Sequence, residues 1–384
     1  MKLLPFQLLF GTKSLHNFVL IRYLVKELFL YFLITFLFFF VIFFVNEILV
    51  LAETILKQRV GVGTVTKLIL YALPSIIAQS APFATLVGFL MCLGRLVSDN
   101  EILILRASGL EYAIIMVPVV ILGGVISLGS FFVNDYLLPV GTMKFNRLKK
   151  EIIHTNPAVE LESNSIKRTN DSTLVLGEVD KNNVTDLVVF DTDEQGQQRI
   201  IVANDSYVAK SNLSGILMEF NMNDATVLFF DRSQKWNIDA LFADSVSLNV
   251  FTSAFVDSSN KVAPREMTSY DLHNVLKKME QDENTNKRVL NNYKVEYNKK
   301  FSLPLGSVFF AILAMPLSLV FGKRAGQTIG AIIGLLISLL YWTMMITGQI
   351  FSQKIGLPAF WTMWTPNFVI GICGFILYIM LLKK

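Results

Sequence analysis

The sequence predicts an α-helical membrane protein with six transmembrane helices and an all-β domain inserted between helices three and four. Three observations support this prediction. Hydrophobic residues make up 53% of the 384 residues and charged residues only 17%, whereas soluble domains average about 25% charged residues. Six long segments carry no charged side chain, and 24 of the 30 acidic residues fall within residues 135–300. This composition excludes a disordered chain, a secreted disulfide scaffold and an ordinary cytosolic enzyme.

The six uncharged segments are the predicted spans. A bilayer core about 30 Å thick is crossed by a helix of roughly 20 apolar residues, and each segment reaches that length or comes close to it. The first segment begins late and lacks a small-residue cleavage site, so we interpret it as a retained helix rather than a secretion signal. In chain order the predicted spans are Leu28–Asn46, Leu68–Gly94, Tyr112–Asn134, Phe301–Gly322, Ala325–Gln353 and Ile355–Leu382.

Basic residues predict the orientation. They precede span one, lie in a tight turn between spans four and five, and end the chain: Lys2, Lys13, Arg22, Lys26, Lys323, Arg324, Lys383 and Lys384. Because cytoplasmic segments are enriched in Lys and Arg, we expect both termini in the cytoplasm. The chain then divides into residues 1–134 with spans one to three, residues 135–300 outside the cytoplasm, and residues 301–384 with spans four to six.

Residues 135–300 contain short apolar segments separated by turn residues, as in Asp193–Gln197 and Asn221–Asp224. This punctuation is typical of an all-β sandwich, barrel or jelly roll. From Thr268 to about Lys300 the apolar residues recur at helical spacing, which predicts one helix leading into span four, with Leu272, Val275, Leu276 and Met279 on one face. The predicted strands are Ser172–Val179, Thr185–Asp191, Arg199–Val208, Gly215–Phe220, Ala225–Phe230 and Ser245–Phe251.

The sequence lacks the residue patterns that disulfide, metal, nucleotide, catalytic and nucleic-acid sites require. Cys92 and Cys373 lie in apolar segments, and the three histidines are far apart, so we expect neither a disulfide framework nor a metal site. No phosphate loop, no catalytic triad or carboxylate pair and no basic nucleic-acid surface is predicted. The spans hold almost no ionisable groups of the kind that gradient-driven carriers bury. Energy for any transport would therefore come from a partner.

The connector between spans two and three, Arg95–Gly109, is the most unusual segment on the predicted cytoplasmic side. Ser98 or Asp99 can cap a short helix, Glu101 lies in its first turn, and Gly109 can end it. One interpretation is an amphipathic connector on the membrane surface. The other is a docking helix that receives force from a cytoplasmic partner through Glu101 and Arg106.

Two further groups of residues allow both a structural and a functional interpretation. Gly326, Gly330 and Gly334 in span five form a small-xxx-small series, which serves packing within one bundle or a mobile contact with another subunit. Charged residues near the outer end of span one face interfacial water or contact a lipid headgroup. These possible headgroup ligands are Glu47, Glu53, Lys57 and Arg59.

Short motifs recur along the whole chain at Arg22–Glu27, Leu93–Leu96, Asn100-Glu101, Arg106–Gly109, Pro139, Lys300, Pro304, Pro316-Leu317 and Trp364–Asn367. In this order they resemble the LptF/LptG (YjgP/YjgQ type) permease family of the lipopolysaccharide exporter. Arg22–Glu27 and Asn156-Pro157 are slightly more similar to the LptF branch. The sequence departs from the LptG branch at Glu47 and Glu53, near positions where that branch tends to carry lysines for lipid phosphates.

The resemblance implies a non-catalytic permease subunit in the bacterial inner membrane. Its implied partners are a homologous six-span subunit, a cytoplasmic ATPase dimer that binds ATP and Mg, and a periplasmic β-jellyroll bridge that receives lipopolysaccharide or a related glycolipid. Arg95–Gly109 matches the family's coupling helix, and Glu101 matches its acidic contact to the ATPase. Spans one and five would form lateral gates, with Gly326, Gly330 and Gly334 near one gate, and the β insert would be a jellyroll.

Two function classes therefore stand side by side. The leading hypothesis is the transmembrane subunit of an ATP-driven lipid exporter with no cofactor of its own. The alternative is a membrane-anchored periplasmic binding or signalling protein that transports nothing. The two differ in whether a separately encoded ATPase copurifies with the chain.

Overall fold

Six helices of the structure are long and apolar enough to cross a membrane, and the six-span prediction is confirmed. The structure is a computed structural model and describes residues 14–58, 61–155, 161, 163–168, 172–180, 182–192, 198–210, 216–230, 238–251, 262–282 and 286–383. Within these ranges spans one to six are Val19–Leu51, Val62–Ser98, Tyr112–Ile152, Lys287–Phe321, Gly326–Ile355 and Ala359–Leu382. The chain forms two compact units: the helical unit comprises Met1–Leu49, Ile69–Met143 and Ala263–Lys384, and the β-containing unit comprises Val50–Leu68 and Lys144–Val262.

The helices extend beyond the apolar segments, because a change from apolar to polar residues does not by itself end a helix. A π-helical turn, Val133–Leu137, joins α4 to α5, and a 3₁₀ turn, Pro264–Glu266, precedes α6. The helices are α1 Ser14–Gln58, α2 Val62–Ser98, α3 Glu101–Ala107, α4 Tyr112–Phe132, α5 Leu138–Thr155, α6 Ser269–Gln281, α7 Lys287–Ile355 and α8 Ala359–Leu382.

The predicted single helix from Thr268 to about Lys300 is wrong, because two separate helices, α6 and α7, cover this segment. A capping box begins α6: the Thr268 hydroxyl accepts from the Asp271 N–H, and the Asp271 carboxylate accepts from the Thr268 N–H. The helix ends at Asp282, whose backbone is extended. Asn286 then caps α7 by accepting a hydrogen bond from the Arg288 N–H at 2.9 Å.

The apolar face predicted for α6 is confirmed. Leu272 and Leu276 are buried, and Val275 and Met279 are partly buried beside them. Tyr293 from α7 joins the same small cluster. Helical spacing therefore identified the packed face correctly, although it did not locate the break.

Spans four and five both lie within α7, yet they run antiparallel because the helix reverses direction between them. Phe310 packs edge-on against Tyr341 with ring centroids 4.9 Å apart, while Ser318 and Gly330 line one small cavity. The reversal lies near Gly326, whose φ of 53° is in the left-handed region that favours glycine. At the other end Gly356, with φ 84°, ends α7, so span six begins at Ala359 and the predicted start at Ile355 is wrong.

Span two is the central helix of the helical unit. Its most apolar stretch is 83% buried, whereas those of spans one, five and six are each 22% buried. Phe83, Phe89 and Leu93 are fully or almost fully buried in the main hydrophobic core. The outward faces of spans one, five and six consist of exposed apolar side chains, as expected for helices that face lipid.

Glycines allow neighbouring backbones to approach span two closely. A Cβ added at Gly330 would lie 2.6 Å from the Leu90 carbonyl oxygen, and one added at Gly94 would lie 2.8 Å from the Gly326 carbonyl oxygen. On another face of span two, a Cβ at Gly88 would lie 2.9 Å from Phe32 Cα of span one. Real Cβ atoms do not occupy such positions, so only glycine fits.

Polar contacts join the π-helical turn to span four and to α6. Pro304 has no N–H group and leaves the Lys300 carbonyl without its helical donor. The Asn134 side-chain amide donates to that carbonyl at 3.1 Å. Asp135 accepts hydrogen bonds from the Ser269 N–H at 2.7 Å and the Ser269 hydroxyl at 3.0 Å. The start of α6 is therefore held against the turn.

The described strands of the insert form one antiparallel sheet, and the predicted all-β domain is confirmed. The strand order is β1-β2-β4-β5-β6-β7, with β3 paired to β4. Alternate side chains on one face, such as Leu174, Leu187 and Phe220, form a separate buried core. The strands are β1 Ser165–Arg168, β2 Ser172–Leu176, β3 Val179–Asp180, β4 Asn183–Thr192, β5 Gln198–Lys210, β6 Ile216–Phe230 and β7 Ile238–Phe251.

The predicted turn at Asn221–Asp224 is wrong, because these residues lie inside β6. Asn221, Met222 and Asn223 pair with both β5 and β7. Met222 is fully buried, and Asn221 accepts a hydrogen bond from the Ser247 hydroxyl at 2.8 Å. Polar residues thus continue the strand because neighbouring strands satisfy them, and only Asp224, at φ 50°, departs from extended backbone. The other predicted turn, Asp193–Gln197, lies outside the described residues.

The contact at Gly330 leads to a test of bundle stability. We expect Gly330→Ala to lower the stability of the purified protein by about 1–3 kcal/mol, since its methyl group would overlap the span-two backbone. The measurement is the thermal unfolding midpoint in detergent. The matched control is Gly124→Ala in span three, where a Cβ would meet no atom within 4 Å. Equal midpoints for the two variants would contradict the close-contact argument.

Candidate functional site

Arg95 lies at the end of span two and is surrounded by three carboxylates. Its Nη2 is 2.8 Å from Glu27 Oε2 of span one, and its Nη1 is 3.5 Å from Asp99 Oδ2 and 3.7 Å from Glu101 Oε1. Tyr23 of span one donates a hydrogen bond to Glu101 Oε2 at 2.9 Å. We call Tyr23, Glu27, Arg95, Asp99 and Glu101 the Arg95 cluster.

The Arg95 cluster connects three elements rather than two. Glu27 and Tyr23 come from span one, Arg95 lies in the last turn of span two, and Glu101 begins α3. Exposed ion pairs contribute little to stability, usually below about 1 kcal/mol each. These side chains are one quarter to one half exposed, so the cluster is better suited to fixing the relative position of the elements than to stabilising the fold.

Tyr31 extends the contacts of this cluster toward span five. The Arg95 guanidinium lies 5.9 Å from the centroid of the Tyr31 ring, within the range of a cation–π interaction. The Tyr31 hydroxyl donates to Gln327 Oε1 at 3.5 Å, the outer limit for a hydrogen bond. Spans one, two and five are thereby in contact near one guanidinium.

The predicted cap of the connector helix is wrong. Ser98 is the last residue of α2, and the Asp99 N–H still donates to the Arg95 carbonyl at 2.9 Å. The cap of α3 is Asn100, which has φ 60° and makes no side-chain capping bond. Asn adopts this left-handed conformation more readily than most residues, so the chain reverses there and Asp99 remains available to Arg95.

The outward face of α3 carries large apolar side chains beside the exposed Arg106. Ile102 is buried and Leu105 is partly buried against the bundle, whereas Leu103 and Ile104 are 62% and 65% exposed. Two large apolar side chains on one turn of a short connector are costly to leave in water. The geometry therefore offers α3 as a contact surface for a partner or for the membrane surface.

Arg106 and Gly109 organise the end of α3. The Gly109 N–H donates to the Arg106 carbonyl and the Leu110 N–H to the Leu105 carbonyl, the pattern of a Schellman motif. Gly109 has φ 87°, so the predicted helix end at this residue is confirmed. Arg106 lies 4.1 Å from the Tyr112 ring centroid and donates to the Leu110 carbonyl. Its guanidinium is thus engaged within the chain.

The glycine series of span five faces span two of the same chain. A Cβ at Gly326 would meet Ser98, one at Gly330 would meet Leu90, and one at Gly334 would meet Val87. These contacts favour the packing interpretation of the glycines. The exposed face of span five lies elsewhere and carries Leu336 and Leu340, which are 57% and 64% exposed.

The proposed headgroup residues are only partly visible. Glu47 is partly exposed on span one. Glu53 and Lys57 belong to α1, but their side chains lie outside the described part of the chain. Arg59 lies outside the described residues. Their role as headgroup ligands stays a prediction.

Sequence reasoning missed Tyr23, Glu27, Tyr31 and Gln327 as members of the candidate site. Glu27 and Arg95 are 68 positions apart, and no local spacing signals a contact across such a distance. The only sequence signal was that Tyr23 and Glu27 belong to a motif of the resemblance. Among the residues that the structure describes, no group of three His, Cys, Asp or Glu side chains could hold a metal ion.

Comparison with known proteins connects this geometry to a family. A comparison with curated proteins found no match for the chain. The sequence model described as the lipopolysaccharide export system permease LptF/LptG matches residues 22–380, from span one to span six. Since the match covers nearly the whole sequence, the resemblance is confirmed, and the chain belongs to the LptF/LptG family of lipopolysaccharide export permeases, multi-pass proteins of the inner membrane.

Proposed function

We propose that the chain is the non-catalytic transmembrane subunit of an ATP-driven exporter of lipopolysaccharide or a related glycolipid. The observation that carries the proposal is α3, a short helix between two spans that presents an apolar face and is hydrogen-bonded to span one through Glu101. A separate cytoplasmic ATPase dimer would bind ATP and Mg and hydrolyse the nucleotide. This chain would supply part of the lipid path.

The proposed orientation places α3 and both termini in the cytoplasm. Lys323 and Arg324 between spans four and five and Lys383 and Lys384 at the end of the chain support it, because cytoplasmic segments are enriched in basic residues. The β-containing unit would then be periplasmic. This arrangement gives the ATPase access to α3 and gives the β sheet access to a periplasmic bridge protein.

In the proposed coupling, the ATPase first binds to α3 at Leu103 and Ile104. A shift of α3 on ATP binding would move Glu101, and the contacts of Glu101 with Tyr23 and with Arg95, which pairs with Glu27, would pass that shift to span one. Such coupling requires that the ATPase bind differently to two arrangements of the spans. Because the cluster is held by partly exposed polar contacts, the two arrangements can interconvert without disrupting the buried core.

A homologous six-span subunit is the proposed partner in the membrane. Leu33 and Leu37 of span one and Leu336 and Leu340 of span five are all more than half exposed. Spans one and five are also mostly unburied within this chain. Their outward faces are therefore the proposed lateral gates, while the glycines of span five hold that helix against span two.

The edge strand β7 is the proposed site for the periplasmic bridge. Within the described strands β7 pairs only with β6, and Phe242 on it is 78% exposed. An unpaired edge offers N–H and C=O groups to a further strand, the usual mode of β-augmentation. A jellyroll bridge protein presenting its own edge strand would fit this surface.

Copurification from the native membrane tests the proposal as a whole. The chain would be isolated in nanodiscs, and its protein partners and bound lipids would be identified by mass spectrometry. We expect an ATPase, a second six-span homologue and a bound glycolipid. Recovery of this chain alone under gentle conditions would contradict the exporter and favour the membrane-anchored binding or signalling protein.

The apolar face of α3 leads to a specific prediction. We expect Leu103→Asp combined with Ile104→Asp to reduce copurifying ATPase by about tenfold, because two charges replace apolar side chains in the contact. Both positions are well exposed, so insertion and thermal stability should stay unchanged. The matched control, Leu103→Met with Ile104→Leu, keeps the face apolar and should retain the ATPase. Undiminished ATPase with the charged pair would remove α3 as the docking surface.

The Arg95 cluster leads to a prediction about coupling rather than docking. Arg95→Lys keeps the charge but loses the planar fork that reaches Glu27 and Glu101. We expect ATPase binding to persist while lipid-stimulated ATP hydrolysis falls at least about fivefold, the lower end of typical allosteric coupling. The control is Asp99→Asn, at the most exposed member of the cluster. Normal stimulation in Arg95→Lys, or a loss in the control of the same size, would refute the role of Arg95.

A further inference from the structure

A cavity of about 230 Å³ lies in the helical unit, next to the π-helical turn and span four. One part of its lining is apolar and includes Leu303, Trp342 and Met345. The other part is polar and includes Gln79 and Gln349. None of its lining residues belongs to the Arg95 cluster or to α3, so the cavity is a feature separate from the proposed coupling site.

Lys300 is the buried cation of this cavity. Its side chain is only 5% exposed. The ammonium group donates to the Asn134 carbonyl at 3.2 Å and lies 3.6 Å from Asp135 Oδ1, which is an ion-pair distance rather than a hydrogen bond. Both carboxylate oxygens of Asp135 already accept from Ser269. Since an ammonium group has three donors, Lys300 retains donor capacity beside the cavity.

Two more cations line the same cavity. Lys299 lies 3.8 Å from Glu296, and Arg265 donates to the Ser75 hydroxyl at 2.6 Å through one terminal nitrogen. Glu296 is the only acidic residue among the described lining residues. With Asp135, which pairs with Lys300, counted as well, three cationic side chains stand beside two carboxylates, and the remaining positive charge favours an anion.

We infer that the cavity binds a phosphate group, either free or as part of a lipid headgroup. A phosphate offers several strong acceptor oxygens, which match a guanidinium and two ammonium groups converging on one space. The apolar part of the lining provides a surface for the carbon atoms that follow the phosphate in a lipid. A ligand of this kind would supply a further acceptor for the buried Lys300 ammonium, beside Asn134 and Asp135.

The size of the cavity limits the ligand. Sites for drug-sized molecules usually measure from about 300 Å³ upward, and this cavity is smaller. It has room for a phosphate with a short headgroup but not for a complete glycolipid head. The inference concerns binding to this chain alone, so it does not depend on whether the chain takes part in export.

Native mass spectrometry of the full-length chain in a non-ionic detergent and phosphate-free buffer tests the inference. The probes are phosphatidylglycerol, phosphatidylcholine and inorganic phosphate. We expect retention of phosphatidylglycerol over phosphatidylcholine, and retention about tenfold weaker in Arg265→Gln combined with Lys299→Gln. These two side chains are not deeply buried, so the variant should fold, as checked by its unfolding midpoint. The matched control is Lys277→Gln with Lys278→Gln, at exposed lysines of α6 outside the cavity.

The competition arm identifies the source of the phosphate. Displacement of phosphatidylglycerol by millimolar inorganic phosphate would assign recognition to the phosphate itself, while unaffected retention would assign it to the headgroup with its attached lipid. A second variant, Ala78→Leu, keeps every charge but fills the cavity from the fully buried Ala78, and it should abolish retention. Wild-type retention in the double charge variant, or in a folded Ala78→Leu variant, would overturn the inference.

Discussion

The close approach of other helices to the backbone of span two is the constraint on which the helical unit depends. Helices in lipid gain little from burying apolar side chains against one another, because lipid tails are equally apolar. Association then rests on van der Waals packing, which requires short distances. Gly88 admits span one, and Gly94 with Gly330 admits span five. Span two is consequently the most buried of the six spans, and spans one and five keep their opposite faces exposed.

Polar side chains complete this packing where the helices are interrupted. Backbone groups without partners are costly where water is absent, and every proline within a span removes one donor. The Lys300 carbonyl released by Pro304 receives the Asn134 amide. A second buried amide, Asn367 of span six, donates to the Ser302 carbonyl at 2.7 Å and accepts from the Tyr341 hydroxyl at 3.0 Å. Both amides connect different helices, so they fix the register of the bundle as well as satisfying its backbone.

Span two has two structural roles, one through Arg95 and one through its glycines. Its last turn carries Arg95, which contacts span one and α3, while its glycines hold spans one and five in place. In the proposed coupling, a displacement of α3 would reach spans one and five through a buried helix rather than through a loop. Near the opposite end of the same unit, the cavity beside Lys300 lies between span two, the π-helical turn and α7. Contacts to span two thus connect α3, spans one and five, and the cavity beside Lys300.

Composition and periodicity alone determined the six spans, the β insert and the apolar face of α6, because each depends on residues that are near one another in the sequence. The motif order also identified the family, and Gly109 was assigned correctly because a helix end needs a left-handed residue there. Contacts between distant segments were beyond that reach. Only the tertiary structure placed Glu27 on Arg95, turned Gly330 toward span two, kept Asn221–Asp224 inside a strand and brought Arg265 to the cavity of Lys300. In each case the contact joins residues that are distant in the sequence. Local sequence patterns reflect only neighbouring residues, so they cannot predict such a contact.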